Sequence, residues 1–135
     1  MSRENVEFIH RAIDAFNRQD VAALAGLCAD DFEFVSMLSA VDAGDSTYRG
    51  PDAWREYFAR MHETWAEWRI DDSQVSDAGD GSLVAVVRVA GRGRHSGVVV
   101  DRTLGMTYHL REGKIWRMRA YLDPDEALQA VGLRE

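Results

Sequence analysis

Residues 69–123 read RIDDSQVSDAGDGSLVAVVRVAGRGRHSGVVVDRTLGMTYHLREGKIWRMRAYLD. Apolar and polar residues alternate through most of this stretch. Turn-forming clusters interrupt it at DAGDG (77–81), RHSG (94–97) and REG (111–113). Alternation marks strands with one buried face, and Gly beside Asp or Glu suits tight hairpin turns. Four strands joined by hairpins are expected, over 69–78, 82–94, 97–111 and 114–123. Immediately after them, Asp123-Pro124-Asp125-Glu126 places an N-cap, a Pro at N1 and a Glu at N3, opening a short helix that Gly132 stops.

Upstream of residue 69 the spacing is helical. Val6, Ile9, Ala12, Ile13 and Phe16 follow 3, 4, 7 spacing, which predicts an amphipathic helix from Ser2, as N-cap, to about Arg18. Asp20 can cap a second short helix, VAALAGLC, ending near Ala29. Phe32 to Leu38 reads as a first strand and 39–50 (SAVDAGDSTYRG) as a loop. Pro51 suits the first turn of a third helix, PDAWREYFARMHETWAEW, with Trp54, Tyr57, Phe58, Met61 and Trp65 along one face. That stripe is either core or, in part, a cavity wall. Helices first and hairpin-linked strands afterwards define an α+β domain, with helices packed on one face of a curved antiparallel sheet.

The 135 residues fit a single domain spanning 1–135, long enough to bury a core without staples. Acids outnumber bases 23 to 16, giving a net charge of −7. Nucleic acid and anionic membranes are excluded as partners, because phosphate binding rests on clustered Lys and Arg. Lys114 is the single Lys beside fifteen Arg, a composition expected of a high-GC bacterial genome. The lone Cys28 permits no internal disulfide and is expected to pack as a small hydrophobe. MSRENVEFIH has no apolar signal region, and no apolar run approaches the ~18 residues of a membrane span, so a cytoplasmic location is expected. His10, His62, His95 and His109 show no metal-ligand spacing, and neither a metal nor a cofactor is expected. GRGRHSG joins two strands and reads as a basic hairpin rather than a phosphate loop.

The order AFNRQD (15–20), AALAGLCADDFEF (22–34), YRGPDAWREYF (48–58), REGKIWRMRAYLD (111–123) and EALQAVGL (126–133) resembles the SnoaL-like branch of the nuclear transport factor 2-like superfamily. The resemblance covers nearly the whole chain. It implies a cone: a strongly bent, mixed or antiparallel sheet of about five to six strands wrapped by three main helices, with a short C-terminal helix, a cavity inside, and a homodimer through the outer sheet face. It implies less about chemistry, since the superfamily holds isomerases, cyclases, dehydratases, epoxide hydrolases and plain binding modules. The positions matching the ketosteroid isomerase base and oxyanion donors hold Ser36, Ala12 and, approximately, Gly105, none of which suits its role. Of the Asp-Arg-Asp network of limonene-type epoxide hydrolases, the Arg is matched by Arg88 and the acids fall at Ala90 and Ala120. Ala120 also stands where the polyketide cyclases carry an acid.

Taking Ala120 to face the cavity, period-two alternation turns Trp116, Met118 and Leu122 inward and Arg117, Arg119 and Tyr121 outward. The same parity turns Val84, Val86, Arg88 and Ala90 inward on one strand, and Asp101, Thr103, Gly105, Thr107 and His109 inward on the next. Arg88 and Asp101 are then either a ligand anchor with a proton acceptor or an internal salt bridge. His62 reaches the cavity mouth or is exposed; His109 is catalytic or solvated beside its turn. Two functions stay open. The first is binding of a small, largely apolar metabolite by Phe34, Ser36, Phe58, Met61, Trp116, Met118 and Leu122, anchored by Arg88, with a proton-transfer reaction through Asp101, His62 or His109. The second is a non-catalytic dimeric module with a mostly filled cavity, whose outer face carries Ala85, Val87, Val89, Arg117, Arg119 and Tyr121. Cavity volume separates the two, ligand pockets usually holding about 300–1,000 Å³.

Overall fold

The structure, a computed structural model, describes residues 2–36 and 47–133. Its elements run α1 (Ser2–Asn17), α2 (Val21–Leu27), β1 (Cys28–Val35), β2 (Thr47–Arg49), α3 (Ala53–Thr64), β3 (Trp65–Gly79), β4 (Ser82–Gly93), β5 (Val99–Arg111), β6 (Lys114–Tyr121) and α4 (Pro124–Ala130). The strands form one open mixed sheet in the order β2-β1-β6-β5-β4-β3. β1 runs parallel to β6, and the other neighbours are antiparallel. The two tight hairpins turn on Asp80-Gly81 (φ 54° and 78°) and Glu112-Gly113 (φ 53° and 78°). Both residues of each pair are left-handed, as a two-residue turn matched to strand twist requires.

Three helices pack on the face of the sheet that holds the main core. α1 buries Ile9, Ala12, Ile13 and Phe16, the residues its periodicity selects. Its last residue, Asn17, clamps the edge strand β3: its side chain donates to Ile70 O and accepts from Ile70 N, both at 2.8 Å. Asp20 caps α2 by accepting from Ala23 N at 3.0 Å. From α3, Trp54, Tyr57, Phe58 and Met61 are buried. Phe34 of β1 meets Trp54 and Tyr57 with ring centroids 5.3 Å apart in both cases. Such rings contribute more burial per residue than any aliphatic side chain.

α4 lies on the opposite face. A Cβ added at Gly105 would sit 2.5 Å from Ala127 Cβ and 3.0 Å from Pro124 Cα, so the helix rests directly on that glycine. Its cap is the expected one, Asp123 accepting from Asp125 N at 2.9 Å. Beside it, Val84 and Thr107 pair across β4 and β5 and are almost fully buried.

Several boundaries and one set of faces differ from expectation. β1 begins at Cys28 instead of Phe32, and Met37 and Leu38 lie outside the described residues, as does 39–46 of the expected loop; 47–49 form β2. α3 stops at Thr64, so Trp65 opens β3 rather than ending the helical stripe. The inward parity of β4 and β5 is reversed. Leu83, Ala85, Val87 and Val89 belong to the main core, as do Leu104, Met106 and Tyr108, whereas Arg88, Asp101 and Thr103 are exposed on the other face. Ala85, Val87 and Val89 therefore do not belong to the outer face.

Candidate functional site

Between the helices and the sheet lies a cavity of about 40 Å³. The sheet contributes Val87, Val89, Leu104, Met106, Tyr108 and Met118; the helices contribute Ile13, Phe16, Leu24, Trp54 and Tyr57. Trp68 and Ile70 of β3 and Ala120 of β6 complete much of the wall. Among the described residues no lining side chain is charged. A water needs about 10–15 Å³ of such space, so there is room for a few waters or a compact apolar group.

Polar character in the wall comes from Tyr57, Tyr108 and the two indoles. Tyr108 is 2% exposed and lines the cavity. Burial alone pushes its phenol well above the ordinary value. Tyr57 is raised as well, first by burial and then by the neighbouring Tyr48, with the Trp68 indole N–H acting in the opposite direction. Both phenols are therefore neutral donors at physiological pH, poor as acids and bases but suited to hold an acceptor atom. The Trp54 indole is already engaged, donating to Cys28 Sγ at 3.4 Å. Burial pushes that thiol up to about 11, which keeps it protonated and inert.

A second, smaller recess of about 10 Å³ opens beside the first, lined by Gln19, Phe58, Met61, His62, Trp65, Ala66 and Trp68. His62 is exposed there, with Nε2 2.7 Å from Gln19 Oε1. The Trp65 indole nitrogen is buried without a hydrogen-bond partner among the described residues.

The residues singled out in the sequence are dispersed. Phe34 and Met118 line the cavity. Phe58 and Met61 line the recess instead, together with His62. Ser36 is buried and Leu122 packs against the core, but neither lines the cavity. Trp116 is turned away by a register shift between His109 and Leu110, and sits against Arg117 and Arg111, 4.7 and 5.1 Å from its ring centroid. Arg88 does not enter the cavity. It makes a two-pronged ion pair with Asp101 (2.7 and 2.6 Å) on the exposed face, which lowers the carboxyl and raises the guanidinium from their usual values. His109 lies 3.0 Å from Ser82 Oγ near its hairpin, and burial and Arg117 lower its pKa.

Tyr108 and Trp68 were missed. For Tyr108 a signal existed: Leu104, Met106, Tyr108 and Leu110 are apolar at period two, and that parity is the buried one. Among the described residues no cluster of His, Cys, Asp or Glu could hold a metal ion, and no helix is long and apolar enough to cross a membrane.

A model of the SnoaL-like domain matches residues 9–118. The chain belongs to the SnoaL-like domain family. Solved structures agree on the fold of this SnoaL-like chain. A candidate polyketide cyclase from Xanthomonas campestris is 20% identical with a TM-score of 0.75, covering 96% of this chain and 98% of its own. TerC, co-crystallised with polyporic acid, is 19% identical with a TM-score of 0.76, covering 94% and 97%. A Catenulispora acidiphila protein of ketosteroid isomerase-like fold, in complex with trimethylamine, is 18% identical with a TM-score of 0.73, covering 94% and 93%. Among curated proteins, none matches the SnoaL-like chain.

Proposed function

We propose that this SnoaL-like domain binds a small, uncharged, largely apolar molecule carrying one hydrogen-bond acceptor. The observation that carries the reading is the Tyr108 phenol, buried in the wall of a cavity whose described lining is otherwise almost wholly apolar. A neutral phenol donor in such a site suits an acceptor atom brought by a ligand, and a charged ligand would meet no countercharge among the described lining residues. Two proteins of similar fold hold a small organic molecule, polyporic acid in one and trimethylamine in the other, which supports the reading. Proton transfer is the weaker part of it: Asp101, His62 and His109 all lie outside the cavity wall, leaving only raised phenols beside the ligand. The two wall methionines, Met106 and Met118, are unbranched and can repack around molecules of different outline.

The test is calorimetric titration and thermal shift with cyclohexanone against methylcyclohexane, on wild type and Tyr108→Phe. Cyclohexanone is expected to bind wild type more tightly than its hydrocarbon analogue, by about tenfold for one hydrogen bond of 1–1.5 kcal/mol. Tyr108→Phe should erase the preference. A wild type that binds neither compound overturns the reading.

The volume favours a second reading. About 40 Å³ is far below the ~300–1,000 Å³ of common ligand pockets, as a largely filled core would be. In that case the domain is an accessory module acting as a homodimer through its outer sheet face. Sedimentation at micromolar concentration, expected to show a dimer with no response to either compound, tests it.

A further inference from the structure

Trp68 borders both spaces, the apolar cavity on one side and the recess beside Gln19 and His62 on the other. Its indole lies across Gly91, opposite it on β4. A Cβ added to Gly91 would fall 2.5 Å from Trp68 Cε3 and 3.0 Å from Cζ3, so the ring occupies the space any side chain would need. Gly91 lies on a strand at ordinary φ, and what its missing side chain supplies is room.

The ring is only partly enclosed, and its indole N–H reaches the Tyr57 hydroxyl in the cavity wall. Trp68 is half-buried, whereas Trp54, Tyr57 and Phe58 on the neighbouring helix are buried. Its aromatic neighbour is Trp65, with centroids 4.9 Å apart and planes inclined at 44°. Trp65 is itself half-buried, with a buried indole N–H that finds no acceptor. The corner that backs Trp68 is thus less enclosed than the buried aromatic cluster around Phe34, and it leaves the Trp65 indole N–H without a partner among the described residues.

We propose that Trp68 is the gate of the cavity and the residue that limits ligand size, a reading that rests on the ligand-binding function above. With the indole on Gly91, the cavity and the recess are separate and only a compact molecule fits. When the indole leaves Gly91, the two spaces join into one channel that reaches the surface beside His62 and Gln19. Ligands enter along that channel, and those too long for the cavity extend into it.

The experiment compares cyclohexanone with the bicyclic 1-tetralone on wild type, Trp68→Ala and Trp68→Leu. The leucine variant retains apolar bulk should alanine unfold the corner, and thermal unfolding checks that each variant is folded. Wild type should prefer cyclohexanone. Both variants should shift the ratio of affinities toward 1-tetralone by at least about tenfold, the effect of adding or removing apolar volume in a fitted pocket. Xenon-pressurised crystals of Trp68→Ala should show cavity and recess as one continuous site. Folded variants that bind cyclohexanone with an unchanged ratio overturn the gate and leave the cavity reading standing. Binding of neither ketone by any form overturns both.

Discussion

Two side chains, Tyr48 and His109, carry predictions that need no knowledge of a ligand. The Tyr48 hydroxyl is buried without a hydrogen-bond partner among the described residues, while its ring packs edge-on to Tyr57 at 5.5 Å. Tyr48→Phe keeps the ring contact and removes the orphan polar atom. It is expected to raise stability by about 1 kcal/mol in urea unfolding, since an unsatisfied buried group costs about 1–3 kcal/mol. A loss of stability would mean that the hydroxyl has a partner. His109 is lowered below its ordinary 6.5, by burial first and Arg117 second. The folded state therefore favours the neutral ring, and below that pH the unfolded chain binds the extra proton. The contribution of His109 is whole above pH 6.5 and is lost as pH falls toward the lowered folded value. Melting temperatures of wild type should drop more steeply below pH 6.5 than those of His109→Gln. Parallel curves would remove His109 from the pH response.

At the scale of elements, α4 carries a sharp test and also explains where the sequence misled. Gly105→Ala would drive a methyl to within 2.5 Å of Ala127 Cβ, against a helix backbone that must move. Overpacking of this kind costs about 1–3 kcal/mol, and hydrogen exchange should show α4 loosened while β5 stays protected. An unchanged exchange pattern would place the helix elsewhere. Because α4 covers the far side of the sheet, Val84 is buried there while Leu83, Ala85 and Val87 are buried on the near side. SLVAVVRVAG is consequently apolar at both parities, and alternation cannot choose a face. Carrying the parity of Ala120 across to the neighbouring strands inverts β4 and β5 together. The one-residue shift that turns Trp116 is a backbone irregularity with no local signature. What alternation and capping could reach was reached: α1, the Asp20 and Asp123 caps, both tight hairpins and the α+β order. The near-face apolar row Leu104, Met106, Tyr108 was equally legible, and it would have placed the cavity wall correctly.

For the whole molecule, the choice between a working cavity and a filled core reduces to one energetic sign. The space of about 40 Å³ lies among α1, α2, α3 and the sheet, where the three near-face helices meet the strands. An empty apolar void costs about 24 cal/mol per Å³, or roughly 1 kcal/mol for this one. Ala120 lines it from β6, opposite Met106 on β5. Ala120→Val adds two methyl groups toward that space without bringing in a polar atom. If the cavity is kept open for a ligand, the variant gains up to about 1 kcal/mol in denaturant unfolding and loses cyclohexanone binding in the same measure that it gains stability. If the core is already filled, the added methyl groups have nowhere to go, and the variant loses about 1–3 kcal/mol. A stabilised Ala120→Val that still binds cyclohexanone as tightly as wild type would contradict both readings, because it would place the ligand outside the space that the helices and the sheet enclose.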